Sequence, residues 1–429
     1  MVDTYFVGLR GSTDNVTDER PESWRNGILR LFPNGSAPLT ALTALMPSEA
    51  LPDPHFHWWT KTLTTQRSAV TNIFTNAGLS SAYTSGGVAG DVLYVNIPVA
   101  ALSEFRAGHN VVLRDTSDLN VDCVGKILSV VSNGASSYLV VRLLEDDDNS
   151  SAGDLSDADA VLVMGNMNPE GGTRPEAISQ APTEFENVSQ IFRNPLDLSR
   201  TRMRTVLRTA DAYQEAKRDA LEQHSIEMEK AFLFGVLFNG TGDNGKPERA
   251  TRGIISYAKE HGTVSDYPTD DPDSDGLTWL QGGVDWLERN LELIFRFGGT
   301  ERLALCGSGA LLGIQRLVRN LGAYNLTVRE AAFGIMVVEW VTPFGTIMLK
   351  THPLFSYEAT NRNAMLLIEP TNLRYRYIDD TTFLPDNTFM QGGGSGYDGK
   401  QEEYLTEGGL EVHFPSTMGW LTGFNTDNA

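Results

Sequence analysis

Between Phe185 and Phe234 the chain changes its period, and that change constrains the fold more than any other stretch. Residues 185–199 alternate polar and apolar side chains and contain Pro195, the pattern of an edge or free-standing strand. Residues 209–235 then read as one long charged helix. Thr209 is the expected N-cap, Asp211 falls in the first turn, and Gly235 stops the helix. Tyr213, Ala216, Ala220, His224, Met228, Ala231 and Gly235 share one side and are mostly small. Such a helix is about 37 Å long, and with so narrow a stripe it lies across a sheet rather than filling a core. The strand before it has no partner nearby in sequence, so it needs one from elsewhere, another copy of the chain included.

With 429 residues there is room for two or three domains and a substantial core. No apolar run reaches the length of a bilayer span, and the N-terminus shows no signal-peptide pattern. The only cysteines, Cys123 and Cys306, lie far apart. That argues against a disulfide framework or a cysteine metal site and fits synthesis in a reducing cytoplasm. The net charge is −21, from 55 acids against 34 bases. A surface this acidic repels nucleic acid and anionic membranes over most of its area. It suits solubility, or a container wall that must not adhere to polyanionic contents.

Residues 1–54 are rich in Gly, Pro, Thr and Ser with short apolar islands, and read as an arm rather than a domain. Residues 54–63 alternate as a strand. Residues 91–165 form a small all-β module, a barrel or sandwich inserted into a larger fold. Its expected strands are Val92–Ile97, Val111–Arg114, Val121–Val131, Tyr138–Leu144 and Ala160–Met164. Later come helices at 283–297 and 310–321, a strand at 303–306, a hairpin around 342–345, strands at 364–369 and 373–377, and a terminal strand at 410–414. Strands and helices mix without βαβ alternation, so the expected class is α+β.

The motifs that carry chemistry elsewhere are incomplete here. Gly307-x-Gly309-x-x-x-Gly313 is one residue too long for a dinucleotide fingerprint and lacks the acidic ribose contact, so it reads as a strand–turn–helix corner. Asp271–Gly276 starts like a calcium loop, but its twelfth position is Gly282 instead of Glu. His55 and His57 share one face of a strand with no third ligand identifiable, and their aromatic neighbours favour strand packing. No catalytic group, cofactor loop or metal site is nominated. Basic residues gather once, at Arg193, Arg200, Arg202, Arg204 and Arg208. In so acidic a chain they are expected to meet carboxylates of a neighbouring subunit. Phe32 and Leu39 in the arm, with Phe185 and Phe192 in the strand, are the apolar candidates for the same subunit contacts.

Four segments in order resemble one family. These are Leu31–Leu42, Phe56-His-Trp-Trp59, Asn187-Val-Ser-Gln-Ile-Phe-Arg193 and Tyr404-Leu-Thr-Glu-Gly-Gly-Leu-Glu-Val412. They look like the tailed-bacteriophage major capsid proteins of the Hong Kong 97 fold, in the branch whose prototype is the coliphage SU-ten coat protein. The resemblance implies an α+β capsid fold: an N-terminal arm (1–54), a first peripheral-domain segment (55–90), an extended loop bearing the β module (91–165), and its returning strand (166–204). It further implies a peripheral domain with a spine helix and the start of the axial domain (205–300), an axial domain (301–400), and a C-terminal strand returning to the peripheral domain (401–429). It implies self-assembly into hexamers and pentamers, with scaffolding, portal and decoration proteins as partners. The shell would enclose double-stranded DNA without sequence-specific contact and without a membrane, as a virion capsid assembled in the host cytoplasm. An encapsulin-like compartment and a soluble oligomeric enzyme are the rival readings; the lack of a nominable acid, base or nucleophile argues against the enzyme.

Overall fold

The structure is a computed structural model. It describes residues 46–61, 66–118, 121–147, 155–205, 211–267, 277–321, 326–331, 335–386 and 399–426. Most of the arm lies outside the described residues, with Phe32 and Leu39, as do Arg208, Thr209, Asp271–Gly276 and most of the Gly-rich stretch before Gly399. The chain divides into two units, one of Met1–Trp58 with Glu184–Ala429, the other of Trp59–Thr183.

The unit Trp59–Thr183 contains a seven-stranded sheet. In spatial order its strands are Arg67–Ala69, Ala160–Asn166, His109–Arg114, Asp122–Val131, Tyr138–Leu143, Val92–Asn96 and Asn72–Phe74. The two end strands are neighbours in sequence, separated only by Val70 and Thr71. Laid flat, seven strands span about 29 Å, while three Cα steps reach at most about 11 Å, so the sheet curls round into a barrel. The linking dipeptide stitches the edges together: Val70 N–H donates to the Asp159 carbonyl and Thr71 N–H to that of Asn96, at 2.7 and 2.9 Å. Alternation fills the inside, with Val95, Val111, Leu113, Ile127, Leu139 and Val141 buried. All five strands read between 91 and 165 are present, and each is paired inside this unit. Residues 67–74, expected in the preceding segment, add two further strands to the same sheet.

The other unit holds a four-stranded sheet and a seven-stranded sheet. The first orders Ser48–Ala50, Leu373–Leu384, Gly399–Val412 and Gln190–Ser199. Gln190–Ser199 does lie at an edge, as its Pro suggested. It nevertheless pairs antiparallel with Gly399–Val412 over its whole length, from Gln190 opposite Gly408 to Ser199 opposite Gly399. The strand therefore finds its partner within the chain, and the expected need for a second copy does not arise. Gly399–Val412 runs far beyond the expected 410–414. Its glycines signal a break but instead admit neighbours: a Cβ at Gly409 would lie 2.9 Å from the Val188 carbonyl oxygen.

The long helix is Ala212–Phe234, about 34 Å. Asp211 is its N-cap, the side chain accepting from Tyr213 N–H, where the sequence had suggested Thr209. The helix buries Ala212, His224, Met228, Glu229, Phe232 and Leu233. That set carries bulkier side chains and lies more C-terminal than the expected small-residue stripe, because the last turns press on a core that includes Phe56, Trp58, Phe192 and Tyr375.

The second sheet is mixed and seven-stranded, in the order Thr263–Asp266, Gly419–Thr422, Met365–Ile368, Glu301–Cys306, Gly345–Thr351, Ile335–Thr342 and Leu326–Ala331. Helices Trp279–Phe295 and Ser308–Leu321 flank it, and a core around Trp279, Trp286, Leu291, Ile314 and Phe424 joins them to it. The first helix begins before the expected 283 because Thr278 and Gln281 form a capping box. The α+β class is the class observed. No helix among the described residues is long and apolar enough to cross a membrane.

Candidate assembly interface

The strand Gln190–Ser199 ends in a one-turn helix, Arg200–Arg204, capped by Ser199 Oγ accepting from Arg202 N–H at 3.3 Å. The arginines of this corner divide by role. Arg193 makes a two-pronged bond to Glu403 on the paired strand, Nε and Nη2 donating at 2.9 and 2.7 Å, and this raises the guanidinium pKa. Its carboxylate thus comes from its own chain, 210 residues on, which spacing alone could not reveal. Arg200, Arg202 and Arg204 sit exposed on the short helix. Phe185 is half-buried and stacks on Trp58 at 6.1 Å. Phe192 is buried and meets Phe232 edge-on at 6.0 Å, so its side chain belongs to the chain's own core and is withdrawn from any contact surface.

The glycine corner is closed by its own chain. Gly307 N–H donates to the Ala364 carbonyl, Gly309 and Ala310 N–H both donate to the Arg362 carbonyl, and Ser308 N–H donates to Ser356 Oγ. The amides that a phosphate needs at a helix N-terminus are already committed. A Cβ at Gly307 would fall 2.2 Å from the Arg362 carbonyl oxygen, so the glycine serves a close backbone approach.

The buried titratable groups tie elements together. Glu229 of the long helix meets His352 at 2.7 Å. Arg302, its side chain fully buried, lies 3.2 Å from Glu369 and donates to the carbonyls of Gly299 and Phe297; burial lowers its pKa. Glu411 accepts from Arg376 and is bonded to His413. Burial pushes its carboxyl up, but these bonds outweigh it and hold it below the ordinary 4.5. His224 spans Asn194 Oδ1 at 2.6 Å and Thr406 Oγ1 at 2.7 Å, and burial lowers its pKa, favouring a neutral ring. Burial also pushes the Cys306 thiol up to about 12, far from the thiolate that a nucleophile needs.

His55 and His57 stand on the strand His55–Thr60, which forms a two-stranded ribbon with Thr183–Val188. There the structure supplies what the sequence did not reveal, carboxylates beside both imidazoles: Glu186 is 3.0 Å from His55, and Glu184 is 2.9 Å from His57.

The sequence matches the family described as SU10 major capsid protein over residues 6–425. A major capsid protein of Pseudomonas phage PaMx41 is 25% identical over 438 residues, covering 97% of this chain and 96% of the relative. Among solved structures, the Mycobacterium phage Bobi chain is 11% identical with a TM-score of 0.44, covering 95% of this chain and 96% of its own. The holo-SrpI encapsulin complex of Synechococcus elongatus PCC 7942 is 12% identical with a TM-score of 0.38, covering 58% and 78%. The family match, spanning nearly the whole chain, makes this a structural protein of a viral shell. The chain belongs to the SU10 major capsid protein family and serves as a phage capsid subunit that assembles into an oligomeric shell.

Proposed function

We propose that the chain is the repeating unit of an icosahedral shell of hexamers and pentamers, built in the host cytoplasm around double-stranded DNA. The observation that carries this reading is the family match from residue 6 to residue 425. The chemistry agrees with it. The buried acids and bases described above hold packed elements together, and the glycine corner has no free amides, which supports a role without catalysis. The net charge of −21 suits a wall that must release rather than grip its polyanionic cargo. A scaffolding protein, a portal and a decoration protein are the expected partners.

Within this reading the long helix is the spine of the peripheral domain, and the mixed sheet with its two helices is the axial domain. The barrel of the Trp59–Thr183 unit is carried on the extended loop. Residues 1–54 form an arm that reaches a neighbouring subunit through Phe32 and Leu39. The exposed Arg200, Arg202 and Arg204 face neighbouring subunits, while Phe185, packed against the core on one side, keeps only its open edge for such a contact. Deleting residues 1–45 tests the arm: capsomers without closed shells are expected by electron microscopy, and normal shells would contradict it. Nuclease-treated particles from infected cells are expected to retain protected DNA, whereas particles filled with protein would favour a compartment shell instead.

A further inference from the structure

The ribbon formed by His55–Thr60 and Thr183–Val188 has two chemically opposite faces. Phe56, Trp58 and Phe185 point into the core, where Trp58 stacks on Phe185 and lies tilted against Tyr257. By strand alternation His55, His57, Glu184 and Glu186 stand together on the other face. His55 Nε2 lies 3.0 Å from Glu186 Oε2, and His57 Nδ1 lies 3.9 Å from the same oxygen and 2.9 Å from Glu184 Oε1. The two imidazoles are centred 4.4 Å apart. One ligand atom from each of His55, His57 and Glu186 falls within a 4.8 Å span.

We propose that this face binds a divalent transition-metal ion of the zinc class, with His55, His57 and Glu186 as ligands and Glu184 as the fourth donor. A tetrahedral ion with bonds of roughly 2.0–2.2 Å sets its ligand atoms about 3.3–3.6 Å apart. The 3.0 and 3.9 Å separations from Glu186 Oε2 bracket that spacing, so small side-chain rotations bring these three ligand atoms to it, with Glu184 Oε1 standing 2.9 Å from His57 Nδ1. Two imidazoles with carboxylates select zinc and its neighbours over magnesium or calcium, which prefer all-oxygen shells.

The backbone beneath the ligands is fixed. The Tyr257 hydroxyl donates to the Glu186 carbonyl at 2.8 Å, Trp58 Nε1–H donates to the Val412 carbonyl at 3.1 Å, and His55 N–H donates to Asp53 Oδ1 at 2.9 Å. Ligands on two anchored strands meet the ion with little reorganisation. The imidazoles and carboxylates are 39–49% exposed, open to an ion from solvent. Binding joins residues 131 positions apart, at the two points where the chain leaves and re-enters its first unit.

The test uses the full-length unassembled chain, stripped of metal by a chelator and dialysed against zinc chloride alone. One zinc per chain is expected, with magnesium and calcium failing to compete. Cobalt chloride is expected to give the intense visible absorption of a tetrahedral ion. His57→Ala and Glu186→Gln should each weaken zinc binding by roughly tenfold to a hundredfold or more, with unchanged circular dichroism. Glu186→Gln keeps the shape of the site and serves as the variant of record if His57→Ala folds poorly. Sub-stoichiometric zinc in the native chain, or full binding retained by Glu186→Gln, would overturn the proposal.

Discussion

Glu229 on the long helix and His352 after the strand Gly345–Thr351 meet at 2.7 Å with both side chains cut off from solvent. The contact pins the helix that crosses one sheet to a strand of the other, across 123 residues of sequence. Removing His352 takes one buried hydrogen-bond partner from Glu229. His352→Ala is expected to cost about 1–3 kcal/mol, read as a lower denaturation midpoint of the purified chain. His352→Gln, which keeps a hydrogen bond, should recover part of the loss.

Acid should loosen the same region through Glu411 and His224. Glu411 is held below its ordinary 4.5, so the folded chain keeps it charged where the unfolded chain would protonate it. Its contribution is complete above 4.5 and is lost as the pH falls through the lower folded value. His224, lowered by burial, works in the same direction from 6.5 downward, because the unfolded chain accepts a proton that the folded ring refuses. Stability measured against pH should decline below 6.5 and more steeply below 4.5. Glu411→Gln should cost about 2 kcal/mol at neutral pH and flatten the second limb.

At Gly307 the demand is steric. A methyl group there would overlap the Arg362 carbonyl oxygen, a backbone atom that cannot rotate away. Gly307→Ala is expected to cost about 1–3 kcal/mol in thermal unfolding. A neutral result would mean that the corner is looser than its hydrogen bonds indicate.

Much of this architecture was legible in the sequence wherever one periodicity governs a whole element. The barrel strands at 92–96, 122–131 and 138–143 announce themselves because their alternating residues fill one interior and Gly or Asn marks the turns. Partnerships between distant segments left no local trace. Nothing near Arg193 indicates Glu403, and nothing near His55 indicates Glu186, because each pair meets only after the sheets form. The short strands at 67–69 and 72–74 were missed for the same reason: three residues carry no period, and pairing alone defines them. The arginine corner was legible as a cluster, while the fact that Arg193 is satisfied within its own chain was not.

Arg202 and Arg204 are exposed, so their side chains can be removed without disturbing the core. Arg202→Ala and Arg204→Ala should leave circular dichroism and the melting point unchanged, within about 0.5 kcal/mol, while lowering the yield of shells. If these arginines contact packaged DNA instead, the same variants will assemble normally without DNA and package poorly.

Whether copies of this chain build a closed shell is decided by negative-stain electron microscopy of the full-length protein purified free of nucleic acid, alone and with its scaffolding protein. Closed, uniform shells built of hexamers and pentamers are expected. A preparation of folded chains that stays monomeric, or stops at small isolated rings at every concentration tried, would contradict that expectation.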